Sequence, residues 1–203
     1  MDDQPMMADD ITALVGSRLC HDLINPLGAI GNGVELLAMM PGSTGPEVSL
    51  IEEAVRDAQA RIRFFRIAFG QTGTDNLIAR REIIEIVDGL YGHSGRLKVV
   101  WEPEAELPRG DAKIGLLMLA CAEHALQLGG VITINEANSV FRLHAEGKRV
   151  AMDADLWSIL KGVTPMRPLA PAEVQFALFA QEALKQDRVV RVDATETTLT
   201  VEA

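Results

Sequence analysis

Cys20-His-Asp-Leu-Ile-Asn-Pro-Leu-Gly-Ala-Ile-Gly-Asn-Gly-Val-Glu-Leu-Leu37 is the stretch on which the fold turns. Its apolar positions Cys20, Leu23, Leu27, Ile30, Val34 and Leu37 step by three and four residues, the repeat of a helix that buries one stripe. The pattern predicts a single helix over residues 10–40, stopped by Pro41-Gly42. After the connector Pro41 to Pro46, the positions Val48, Ile51, Val55, Ala58, Ile62, Phe65 and Phe69 repeat the same spacing, and Gly70 and Gly73 close a second helix. Two helices joined by a short loop make an antiparallel hairpin, but each stripe is wider than one partner covers. Pairing two hairpins into a four-helix bundle buries both stripes, so a homodimer is expected.

Beyond Gly73-Thr-Asp-Asn76 the composition shifts to mixed strand and helix signals, which predicts two domains, 1–73 and 74–203. The second domain reads as a helix Ala79–Tyr91, a strand Leu97–Trp101, a long apolar helix Asp111–Leu128 and, after Gly129-Gly130, a strand Val131–Asn135. A hairpin of Ser139–Leu143 with Lys148–Met152 follows, then a helix Ala172–Lys185 and strands Val189–Val192 and Thr198–Val201. That order predicts an α/β sandwich with helices on one face of a mixed sheet, and an α+β chain overall.

Composition narrows the function. The net charge is −10 and no Lys/Arg cluster interrupts it, which argues against nucleic acid as a partner. The longest apolar runs reach about nine residues, far below the roughly 20 that span a bilayer. The acidic start Met1-Asp-Asp-Gln-Pro-Met-Met-Ala-Asp-Asp10 has no basic, then apolar, leader, so a cytoplasmic location with no membrane association is expected. Cys20 and Cys121 read as reduced core residues.

His21 falls one residue past the seam position Cys20, on the shoulder of the stripe, where an imidazole faces outward. Asp22 can orient the ring or exchange a proton with it, and Asn25, one turn on, can hydrogen-bond an incoming phosphoryl group. Pro26 lacks an N–H and crowds the carbonyl of Asp22, so it bends the helix beside the histidine. Arg18, one turn earlier on the same face, can neutralise phosphoryl charge. Singly, each of these residues has an ordinary structural reading. At this spacing inside a heptad hairpin, they point to phosphotransfer through His21.

His21-Asp-Leu-Ile-Asn-Pro26 resembles the phosphoacceptor box of sensor histidine kinases, and the run Ser17 to Leu37 resembles the ChpT-type histidine phosphotransferases of alphaproteobacteria. Arg66-Ile-Ala-Phe-Gly70 and the long helix ending in Gly129-Gly130 fit the same family. The resemblance implies a homodimer with a central four-helix bundle and a flanking kinase-like domain. It also implies phosphate relay from the receiver domain of a hybrid kinase (CckA-like) to response regulators (CtrA-like and CpdR-like). Receiver domains dock an apolar helix against such a bundle, which assigns docking roles to Arg18, Ile24, Gly28 and Asn32, with Gly31 and Gly33 beside them, and to Arg61, Arg63 and Phe64 on the second helix.

Kinases of this type hold Mg²⁺ and ATP with asparagines on the long helix and with an Asp-x-Gly-x-Gly segment. Aligned through Gly129-Gly130, Leu117 and Cys121 stand at the asparagine positions. The nearest glycine segment is Ala145-Glu-Gly-Lys148. The second domain therefore reads as a degenerate kinase-like sandwich with no ATP binding and no metal of its own, Mg²⁺ coming from the receiver. His93, His124 and His144 share no metal-binding spacing and read as structural. Two other readings stand beside the phosphotransferase: an autophosphorylating histidine kinase, and a non-catalytic dimeric adaptor of response regulators.

Overall fold

The structure is a computed structural model that describes residues 16, 23–24, 27–39, 45–70, 76–92 and 95–203. The chain divides into two compact units, residues 1–71 and 72–203.

In the first unit, residues 27–38 are helical (α1) and Pro46–Ala68 form α2. Pro46 opens α2 at a position where its missing N–H costs nothing. Gln59 Nε2 donates to the Leu27 carbonyl (3.4 Å), and Gly31 lies over Val55 and Gln59, so the helices run antiparallel. The heptad stripe of α1 splits in two. Val34 is buried and Leu27 half-buried toward α2, whereas Leu23, Ile30 and Leu37 are each about half exposed. The same split leaves Ile51 exposed on α2 while Val55 and Ile62 are buried.

The second unit is an α/β sandwich. Its strands β2 (Leu97–Trp101), β4 (Gly130–Ala137), β5 (Val140–Gly147), β6 (Arg191–Ala194) and β7 (Thr198–Glu202) form one sheet in the order β2-β4-β5-β7-β6. β2 and β4 run parallel and the other neighbours antiparallel. Two short strands, β1 (Leu77–Ile78) and β3 (Leu107–Pro108), pair separately. Alternation along the strands buries Ile132, Ile134, Phe141, Leu143, Leu199 and Val201 on one face. His144, Arg142 and Glu146 stand on the other, which is open. Helix α4 (Arg109–Ala125) lies against the covered face, with α3 (Arg80–Tyr91) packed beside β2 and α6 (Val174–Lys185) packed on α4. Sandwiched between sheet and α6, α4 buries residues on all sides, which explains its lack of a polar stripe.

Several expectations are corrected. The hairpin is β4 with β5, not Ser139–Leu143 with Lys148–Met152, because Asn138 and Ser139 both adopt positive φ (55° and 63°) and close a two-residue turn. Residues 148–152 are not a strand, although Val150 N–H donates to Glu196 and Ala151 N–H to Ala125. His144 sits within β5. The long helix spans Arg109–Ala125, displaced from Asp111–Leu128, and β6 begins at Arg191. A short helix α5 (Ala154–Ile159) was not expected; Asp153 caps it by accepting from the N–H groups of Asp155 (3.0 Å) and Leu156 (3.4 Å).

Gly129 and Gly130, expected to end the long helix, lie beyond it, since it stops at Ala125 and Gly130 already opens β4; Gly129 takes φ +85°, which favours glycine, and a side chain there would run into the Arg96 carbonyl. No described helix is long and apolar enough to cross a membrane.

Candidate phosphotransfer and docking site

His21, Asp22, Asn25 and Arg18 lie outside the described residues. Between α1 and α2 runs a groove of about 470 Å³, lined by Gly31, Asn32, Val34 and Glu35 from α1 and by Glu52, Val55, Arg56, Gln59 and Arg63 from α2. The α2 residues Glu52, Arg56, Gln59 and Arg63 step by four, three and four, which sets them on one face. Arg56 and Glu52 approach to 3.9 Å with the arginine well exposed, so the groove offers both signs of charge to a partner. Val34 and Val55 supply its apolar floor, and Gly31 lets the two helices come close.

The expected docking residues divide. Asn32 is exposed and lines the groove, and Arg63 lines its opposite wall. Gly28 has nothing within 4 Å of where a side chain would stand, and Ile24 is half-buried. Arg61 is exposed but is not part of the groove lining. Phe64, expected on the outward face, is buried at 5% exposure; its ring meets Phe65 and Phe69 edge-on at 5.9 and 6.3 Å. A large aromatic side chain gains more from burial than from water, and that outweighs its sequence neighbours' polarity. Glu35, Glu52, Arg56 and Gln59 were missed, although their helical spacing was readable.

In the second unit, Leu117 and Cys121 are both fully buried within α4, and burial pushes the Cys121 thiol well above its ordinary pKa. Gly147, the one glycine of Ala145-Glu-Gly-Lys148, has Leu126 and the Gly129 carbonyl where a side chain would go, at 2.6 and 2.7 Å. Protein atoms thus fill the space beside it. His124 stacks edge-on against Phe176 at 5.6 Å, and His144 contacts Thr200 and Glu146, each at 3.2 Å. Among the described residues no group of three or more His, Cys, Asp or Glu side chains could hold a metal ion.

The sequence profile of the histidine phosphotransferase C-terminal domain matches residues 80–198, more than half of the chain and nearly all of the sandwich just described. The chain belongs to the ChpT-type histidine phosphotransferase family. It is 31% identical over 186 residues to the protein phosphotransferase ChpT of Brucella abortus (strain 2308), covering 88% of each sequence. The fold is similar to the solved structure of a bacterial phosphotransferase, with TM-score 0.68, 25% identity and 98% of both chains covered. A histidine kinase domain from the blue-light activated kinase of Erythrobacter litoralis EL346 gives TM-score 0.44 at 18% identity, covering 94% of this chain and 92% of that one. For a ChpT-type chain, a phosphotransferase role in a phosphorelay follows at the level of the family.

Proposed function

We propose that this protein relays a phosphoryl group between receiver domains through His21. The observation that carries the proposal is the groove along α1. Continuing the helical period back from Gly28, Asn32 and Glu35 brings Asn25 and His21 into phase with them, at steps of four, three, four and three residues. A receiver seated in the groove then has its phosphorylated aspartate close to the histidine.

In the transfer, a lone pair on an imidazole nitrogen of His21 attacks phosphorus. A nitrogen–phosphorus bond forms, and the oxygen–phosphorus bond of the aspartyl phosphate breaks, returning its electrons to the carboxylate. Asp22 orients the ring, Asn25 hydrogen-bonds the phosphoryl oxygens and Arg18 offsets their charge. Positioning and charge neutralisation supply most of the acceleration in such reactions. Mg²⁺ comes with the receiver, and the reverse reaction onto a second receiver regenerates the histidine. Receivers of a hybrid kinase and of response regulators are the partners this reading assigns.

The half-exposed stripe Leu23, Ile30 and Leu37, with Ile51, supports a homodimer in which a second hairpin covers it. Leu117 and Cys121, apolar and buried, with the packed environment of Gly147, favour phosphate from a receiver over phosphate from ATP.

The test is to incubate wild-type protein and His21→Ala with a labelled phospho-receiver and, separately, with labelled ATP. Label passing from the receiver to wild type alone supports the relay. Label from ATP alone would make the protein a kinase, and no label in either case would leave an adaptor.

A further inference from the structure

β6 is the last strand of its sheet, and among the described residues nothing pairs with its outer side. The bond from Thr195 N–H to the Thr198 carbonyl (2.9 Å) sets the parity of the β6–β7 ladder. Hydrogen-bonded pairs alternate in antiparallel strands, so Arg191 and Asp193 bond across to β7. The N–H and C=O groups of Val192 and Ala194, and by the same alternation those of Val190, therefore point away from the sheet. Side chains alternate too: Val192 and Ala194 stand opposite Val201 and Leu199 on the covered face, while Arg191 and Asp193 stand opposite Glu202 and Thr200 on the open one.

Charges on the open face alternate in sign toward this edge. Arg142 on β5 holds Glu202 on β7 at 2.6 Å, and Glu202 reaches Arg191 on β6 at only 3.9 Å. Arg191 keeps 73% of its side chain exposed. Asp193 is exposed and makes no ion pair among the described residues. The row thus ends on a cation, with an unpaired carboxylate two residues along the same strand.

Two antiparallel copies of β6 can meet only in registers that bring their outward backbone groups together. Centred on Val192, such a pairing bonds Val192 to the partner's Val192, and Val190 to the partner's Ala194. Arg191 then lies opposite the partner's Asp193, and Asp193 opposite the partner's Arg191, at non-hydrogen-bonded positions where side chains come closest. One register step to either side would instead set Arg191 against the partner's Arg191, or Asp193 against the partner's Asp193. Opposite charges facing each other stabilise a strand pair and like charges weaken it, so charge selects the register centred on Val192. In it the open-face row reads Arg142, Glu202, Arg191 and the partner's Asp193, alternating in sign across the boundary. Charges on an edge strand discourage pairing when they meet their like; these two are complementary to a copy of themselves. Cross-strand contacts act over about 5 Å, inside the Debye length of about 8 Å at physiological ionic strength. The repulsion between two chains of net charge −10 acts over longer distances, where salt screens it.

We propose that β6 pairs antiparallel with β6 of a second copy of this chain, about a twofold axis at Val192, so that the two sheets become continuous. The contact is small and forms as protein concentration rises. The proposal does not depend on the phosphotransfer reading.

It is tested by amide hydrogen exchange on full-length, isotope-labelled protein in about 0.15 M salt, between about 10 μM and about 1 mM chain. Exchange at Val190, Val192 and Ala194 should slow about threefold or more over that range. Arg191→Asp and Asp193→Arg should each abolish the slowing, because each gives the edge a single sign of charge in every register. Mixing the two variants, one of them labelled, should restore it, since every carboxylate then faces an arginine. The loss in each variant and its return in the mixture separate this contact from association through the hairpins. Both positions are exposed, and unchanged melting of the variants confirms their fold. Arg191→Gln with Asp193→Asn, the variant mildest on the fold, should reduce the slowing as well. Exchange in the wild type that does not change with concentration overturns the proposal. So does slowing that survives in the folded single variants or that fails to return in their mixture.

Discussion

Lys113 Nζ stands 3.2 Å from a Glu182 carboxylate oxygen, and the two side chains are only 8% and 4% exposed. Gln186 Nε2 donates to the other Glu182 oxygen at 2.9 Å, so the pair joins α4 to the end of α6 inside the sandwich. Two charges withdrawn from water stabilise little as a pair, yet either one alone is costly. Glu182→Ala should lower unfolding free energy by about 3–5 kcal/mol, whereas Lys113→Met with Glu182→Leu should stay within about 1–2 kcal/mol of wild type or exceed it. Denaturant melts of the single and double variants decide this, and a double variant as weak as the single would sink it.

The same pair has a pH signature. Burial holds the Lys113 pKa below its ordinary 10.5, against the opposing pull of the Glu182 charge and hydrogen bond. Between that lowered value and 10.5 the unfolded chain binds more protons, so this group makes stability rise with pH there. Melting across the alkaline range should show the rise in wild type and lose it in the double variant.

Arg167 makes two bonds of 2.7 Å to Glu173, whose carboxylate also accepts from Ala170 N–H at 2.8 Å. Arg167 first, and then that backbone bond, hold the Glu173 pKa at about 2, down from 4.5. The stabilisation is present above 4.5 and is lost as pH falls from 4.5 through about 2. Arg167→Ala should raise the Glu173 pKa, seen in its carboxyl carbon titration, and move acid unfolding to higher pH. An unchanged Glu173 titration would contradict the assigned cause.

Gly129→Ala should destabilise by about 2–3 kcal/mol, from a strained positive φ and a side chain driven onto the Arg96 carbonyl. That carbonyl also accepts the Gly130 N–H at 3.0 Å, so it is not free to move aside. A loss below about 1 kcal/mol on melting would show that the turn relaxes.

Gly28→Ala separates stability from docking. With nothing within 4 Å of the new methyl, helix propensity should add about 1 kcal/mol of stability. If a receiver backbone approaches at Gly28, phosphoryl acceptance should slow with a raised KM. Gly31→Ala is the contrast: its methyl meets Gln59 Nε2 at 3.1 Å and Val55 Cγ1 at 3.3 Å, so little of the gain should survive. Unchanged kinetics in Gly28→Ala would remove the docking role from this face.

The heptads of α1 and α2 were legible because burial repeats with the helical period, whereas the His21 box lies outside the described residues. Which half of each stripe turns toward the neighbouring helix was not legible: Leu27 and Val34 differ from Ile30 and Leu37 only in angle, and packing of α2 over Gly31 selects among them. The β4–β5 turn was misplaced for a local reason, since Asn138-Ser139 reaches positive φ without a glycine to announce it.

Periodicity is a property of neighbours along the chain, and the sequence by itself determined the helices of the hairpin and the alternation of the sheet. Contacts between residues far apart in the chain depend on how elements cross. Tertiary structure alone decided the groove between α1 and the α2 face of Glu52, Arg56, Gln59 and Arg63, and the Lys113–Glu182 pair, because each requires two elements to be brought to a distance that no one segment encodes.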